Sequence, residues 1–189
     1  MRGAGQRLAG TVFVTGNRMK LAEARRLSGV DLEAVDLELP EIQSLDLEEV
    51  LRAKGEAAWS RLGRPLLVDE TALSLSALNG FPGPLIKWML DSIGSEGTAR
   101  LADLHGDLRA EARSGLYWTD GEGAVVLVVG AVAGRLVAPR GTARFGWDAI
   151  FEPEGGDRTY AELSPGEKDA ISQRGKAWRA LVAELDRFA

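Results

Sequence analysis

The stretch TVFVTGNRMK, residues 11–20, decides the fold. Its first half, Thr11 to Thr15, is a short apolar run with β-branched residues, which reads as a buried strand. Gly16-Asn17 ends the run, and Leu21, Ala24, Arg25 and Leu27 follow at helical spacing as far as Gly29. Asn17 is suited to cap that helix at its start and Gly29 to end it. A strand, a tight turn and a helix in this order direct free N–H groups and a positive dipole end at whatever lies above the turn. Thr15, Gly16, Asn17 and Lys20 add a hydroxyl, backbone N–H groups, an amide and an ammonium. Such a set holds a phosphate or serves only as a helix cap, and the pattern leaves both uses open. It is not a P-loop, because GxxxxGK(S/T) is absent.

The lysines narrow the choice. Of 23 Lys+Arg residues, only Lys20, Lys54, Lys87, Lys168 and Lys176 are lysine. Three of these sit in TGNRMK, FPGPLIKW and EKDAISQR. An ammonium is a compact point charge and a guanidinium a planar fork, so keeping lysine there suggests phosphate handling.

Further along, Leu32–Leu39 reads as a second strand that stops at Pro40-Glu41. Asp46 to Gly63 reads as a helix with an acidic first turn. Residues 65–69 form the next strand, followed by a second extended stretch, Ala72 to Leu78. A helix from Pro84 to Ile93 follows a dense turn signal. Two long β patterns, Leu108–Trp118 and Ala124–Val137, flank Asp120-Gly121, a hairpin signal. Ser164 to Glu167 has capping-box form, and one helix is expected from there to about Phe188. Helices alternating with strands, plus a long hairpin, predict an α/β fold with a mixed sheet. Residues 1–10 read as a loose leader, and 11–189 as a single domain.

Composition excludes several chemistries. The chain has no cysteine, so disulfides, thiolate catalysis and zinc–thiolate sites are out. The single His105, in the polar segment DLHGDL, reads as a surface residue. A net charge of −5 opposes wrapping on a nucleic acid but not binding a small anion in a locally basic cleft. No run is long enough to span a bilayer, and the N-terminal residues lack a signal-peptide core, so a cytoplasmic protein is expected.

Carboxylates cluster at strand ends, with Glu41 after one β run and Asp69-Glu70 after another. Strand C-termini are where open α/β sheets place their sites, and paired carboxylates suit Mg²⁺ bridging to phosphates. The other reading is solvated loop charge. Phe145-Gly146-Trp147-Asp148 reads either as a base-stacking segment or as a packed aromatic corner. Lys168 and Ser172, four apart, would lie side by side on one helix face.

Taken together, TGNRMK, LVDETALSLSALNGFPGPLIKW, APRGTARFGWDAIFEP, TYAEL and EKDAISQR resemble the inosine triphosphate pyrophosphatase, or Ham1-like, family over nearly all of residues 11–189. The resemblance implies a two-lobed fold, a long central mixed sheet flanked by helices, and an active-site cleft between the lobes. It implies Mg²⁺-dependent hydrolysis of nucleoside triphosphates to monophosphate and pyrophosphate, with deaminated purines favoured, by a homodimer. Thr15, Asn17, Lys20 and Lys87 would hold phosphates, and Glu41 and Glu70 the metal. Glu70 stands where the family's carboxylate activates water, with Asp69 and Lys20 beside it. Phe145, Trp147 and Asp148 would form the base pocket, closed by Lys168, Ser172, Gln173 and Arg174.

Two positions depart from the family pattern. Gln173 stands where the family usually has histidine, and Gln can present an acceptor as well as a donor. The expected result is a weaker or altered base preference. Glu70 directly precedes Thr71 where the family more often has aspartate, which extends the carboxylate by ~1.5 Å. Asp69 is an alternative base, although a one-residue shift in a strand points to the opposite face. The competing functions are the same chemistry on another nucleotide, or a nucleotide-binding regulatory protein without turnover.

Overall fold

The computed structural model describes residues 3–142 and 146–187. Its elements are α1 (Ala4–Ala9), β1 (Val12–Val14), α2 (Arg18–Ser28), β2 (Glu33–Val35), α3 (Leu47–Leu62), β3 (Leu66–Leu75), β4 (Pro82–Gly83), α4 (Ile86–Leu104), β5 (Arg109–Thr119), β6 (Val125–Leu136), β7 (Phe151–Pro153), α5 (Pro165–Ile171) and α6 (Gln173–Arg187). The sheet order is β2-β1-β3-β5-β6-β7, with β4 also on β3. β1 pairs in parallel with β2 and β3, and the other pairings are antiparallel, so the sheet is mixed.

Side-chain alternation along β3 and β5 separates two cores. Leu67, Leu116 and Trp118 face Trp178, Leu181 and Leu185 of α6. Leu66, Val68 and Tyr117 face Leu47, Leu51 and Ala58 of α3. A third cluster beyond them joins Leu73 and Leu75 to Ile86, Trp147, Phe151 and Tyr160. α6 crosses β6 at Gly130, where a Cβ would collide with the Gln173 carbonyl and the Ala177 nitrogen. That close approach requires glycine and sets the start of α6 against the sheet.

Caps match the local signals. Asn17 and Asp46 side chains accept from N–H groups of α2 and α3, and Gly29 and Gly63 end them in the left-handed conformation. Five expectations are corrected. Residues 4–9 are not a loose leader but α1, with Ala4 and Leu8 buried in the core that α6 lines. The two stretches after Pro65 are one strand, β3, while the strand expected over Leu32–Leu39 pairs only at Glu33–Val35. α4 runs past Ile93 to Leu104, with a non-helical turn at Gly94 (φ 70°, ψ 177°). The C-terminal helix is broken at Ser172, which is extended (φ −67°, ψ 158°). Its Oγ accepts from the Gly175 N–H (3.1 Å), so Ser172 caps α6 and does not stack beside Lys168 on one helix. His105 is exposed at the end of α4. Among the described residues no helix is long and apolar enough to cross a membrane.

Candidate active site

β1 pairs with β3 only at Leu66 and Leu67, so β3 runs on past the point where β1 ends. A cleft of about 730 Å³ opens there. Thr15, Asn17, Lys20, Glu41, Lys54, Asp69, Glu70, Lys87 and Trp147 all line it. Sequence neighbours at three separate strand ends are thereby brought to one place.

The Thr15–Asn17 turn is held by its own side chains. Thr15 Oγ1 accepts from the Asn17 N–H (3.1 Å), and Asn17 Oδ1 from the Met19 and Lys20 N–H groups (2.9 and 3.2 Å). Gly16 lies against the Asp36 carboxylate, where a Cβ would sit 2.6 Å from Oδ1. A side chain here would oblige the exposed Asp36 carboxylate to move aside.

Asp69 and Glu70 point to opposite faces of β3, as adjacent strand residues must. Asp69 faces α2 and α6, where its carboxylate takes Lys20 Nζ (3.0 Å) and Arg174 Nη2 (3.3 Å). It is 3% exposed. Burial pushes its carboxyl up, but Lys20, Arg174 and Lys54 outweigh burial and hold it below the ordinary range. Glu70 faces α3, where Oε2 accepts from Lys54 Nζ (2.9 Å) and Oε1 from the Thr71 N–H (3.0 Å). Lys54 Nζ also lies 3.8 Å from Glu41 Oε1 and 3.4 Å from the Asp69 carbonyl. Burial pulls the Lys54 ammonium down, and Glu70, Asp69 and Glu41 more than restore it.

A smaller pocket adjoins the cleft, sharing Met19 with it, and is lined by Glu23, Asp148, Tyr160 and Lys168. Lys168 Nζ donates to Asp148 Oδ2 (2.5 Å) and lies 3.5 Å from Glu23 Oε1. Arg174 pairs with the other Glu23 oxygen and with Asp69. One continuous ion network therefore joins the two pockets. Burial pushes Asp148 above the ordinary carboxyl range despite the opposing pull of Lys168. Trp147 is packed in the core: its ring meets Phe151 edge-on (5.5 Å, 74°) and lies 6.2 Å from Tyr160. It borders the cleft from within that aromatic corner. Ser172, Gln173 and Arg174 are buried, and the Gln173 Oε1 has no hydrogen-bond partner among the described residues. Phe145 lies outside the described residues.

Sequence reasoning missed Lys54, Glu23 and Asp36. Lys54 sits on α3 and Glu23 on α2. Their partners are 16 and 151 residues away in the chain, so no local signal could have named them.

Among the described residues no group of three or more carboxylate or imidazole side chains converges as a ready-made metal cage. Glu41 and Glu70 nevertheless fit a hard divalent cation. Both carboxylates converge on a single positive charge, the Lys54 ammonium, and oxygen ligands are what such a cation takes, with phosphates supplying the rest.

A helix-capped turn, carboxylates and three lysines along one cleft at a strand switch point form a set of groups suited to a phosphate ligand. The Ham1 family model matches residues 11–184, and the chain belongs to the Ham1 family. It is 43% identical to the inosine triphosphate pyrophosphatase of Yarrowia lipolytica, over 92% of this chain and 94% of that protein. It is 40% identical to the dITP/XTP pyrophosphatase of Methanopyrus kandleri, over 94% and 93% of the two chains. The solved structure of a HAM1 protein from Coxiella burnetii superposes with a TM-score of 0.79 at 28% identity, covering 94% of this chain and 98% of that one.

Proposed function

We propose that this protein is a nucleoside triphosphate pyrophosphatase that hydrolyses inosine, deoxyinosine and xanthosine triphosphates to monophosphate and pyrophosphate with Mg²⁺. The observation that carries this is the joined pair of pockets. One holds a capped anion turn, three lysines and two converging carboxylates, and the other holds Asp148 and Lys168. The names of the Yarrowia and Methanopyrus relatives support the substrate class.

Lys20, Lys54 and Lys87 receive the polyphosphate, and their charge is complementary to the leaving pyrophosphate. Glu41 and Glu70 would hold the cation, whose bound charge would further neutralise the leaving group. Glu70 orients the attacking water: it is the less buried of the two β3 carboxylates, and among the described residues Lys54 is its one cationic partner. Asp69 is saturated by Lys20 and Arg174, so it positions those two cations. Asp148 and Lys168 take the base, in a cleft between two lobes.

The Gln173 oxygen favours a second reading, in which base preference is altered. A buried acceptor without a partner costs free energy, roughly 1–3 kcal/mol, unless a ligand donates to it. A 6-amino group donates where a 6-keto group does not. Pyrophosphate release with Mg²⁺ across inosine, xanthosine, guanosine, adenosine, cytidine and uridine triphosphates tests both readings. Preference for inosine and xanthosine supports the first; a preference for adenosine that Gln173→His abolishes supports the second. Tight triphosphate binding without release contradicts both.

A further inference from the structure

Lys54 occupies the place between Glu41 and Glu70 where the cation belongs in the reading above. Its ammonium is 2.9 Å from Glu70 Oε2, 3.8 Å from Glu41 Oε1 and 3.4 Å from the Asp69 carbonyl. Lys54 and Glu70 are both largely buried, with side chains 16% and 17% exposed. Two other groups of described cations near the cleft are held by other carboxylates, while Lys87 lines the cleft itself. Lys20 and Arg174 lie across β3 on Asp69, and Lys168 is on Asp148 and Glu23.

From this we infer that Lys54 is a tethered counter-ion that a divalent cation must displace to reach Glu41 and Glu70. The inference rests on the reading of those two carboxylates as cation ligands. The resident ammonium satisfies the carboxylates in the nucleotide-free protein, so an added cation meets both an occupied position and a like charge. Lys54 also lines the cleft that holds Lys20 and Lys87. A polyphosphate entering that cleft offers its ammonium a second set of anionic oxygens. The carboxylates are then released to the cation that arrives with the phosphates. Cation and nucleotide thus bind cooperatively through one side chain, and the free protein does not sequester the metal.

The test is a Mn²⁺ titration of the nucleotide-free protein, with free Mn²⁺ followed by electron paramagnetic resonance. Lys54→Met is expected to bind Mn²⁺ roughly tenfold more tightly than the parent, the low end of what a neighbouring like charge does to an ionic equilibrium. Lys54→Arg keeps the charge and should stay near the parent affinity. Adding Glu70→Gln to Lys54→Met should abolish the gain, which locates the binding at these carboxylates. Because Lys54→Met leaves Glu70 without its partner, thermal melts provide a second readout: Mn²⁺ should raise the Tm of Lys54→Met more than that of the parent. Equal or weaker binding by Lys54→Met, with the parent binding normally, overturns the counter-ion role alone. No binding by either protein overturns it together with the carboxylate–cation reading.

Discussion

Asp69 and Glu70 are adjacent in sequence and unlike in surroundings, and two predictions follow from such contrasts among single residues. Glu70→Gln keeps the shape and removes the charge that orients water; kcat is expected to fall by about two orders of magnitude or more, with a smaller change in KM. Asp69→Asn instead leaves Lys20 and buried Arg174 without their shared anion. Breaking such a buried ionic group costs about 3–5 kcal/mol, read as a loss of denaturation midpoint. If Asp69→Asn were stable and Glu70→Gln fully active, the roles assigned here would be reversed. Asp148 supplies the pH test. Its carboxyl is raised, first by burial and against Lys168, so the folded state holds the proton more tightly than the unfolded chain. The stability gained is complete below the ordinary value of 3.8 and is lost as pH rises through the folded value. The stability of the parent relative to Asp148→Asn should therefore decline as pH is raised above 3.8 and through the raised folded value. A flat or rising difference contradicts the assignment.

At the scale of elements, the features legible in the sequence were those set by contacts a few residues apart. Asn17, Gly29, Asp46 and Gly63 cap their helices as their types require. The Asp120-Gly121 turn closes β5 on β6, with Asp120 Oδ1 accepting from the Glu122 and Ala124 N–H groups. What was not legible depends on distant partners. α1 was hidden because Gly3, Gly5 and Gly10 dilute it, while its two buried residues, Ala4 and Leu8, gain meaning only against α6. The break at Ser172 was hidden because helical residues flank it on both sides. It falls just before Gln173, whose carbonyl lies against Gly130 of β6. Leu8 is 1% exposed, so Leu8→Ala should cost about 2–5 kcal/mol in chemical denaturation. A loose leader would show no effect.

For the molecule as a whole, the mixed sheet converts scattered motifs into one site. β3 outruns β1, and the cleft at that step gathers groups from β1, α2, α3, β3 and α4. Lys20, Glu41, Glu70, Lys87, Asp148 and Lys168, all named from the chain, line the cleft or the pocket beside it. The ion network linking them was not, because Glu23 and Lys54 act across the fold. The most direct test of the central claim is phosphorus NMR of the products formed from inosine triphosphate and Mg²⁺. One pyrophosphate and one inosine monophosphate per turnover are the predicted products. Inorganic phosphate with inosine diphosphate, or unchanged triphosphate, would contradict the account.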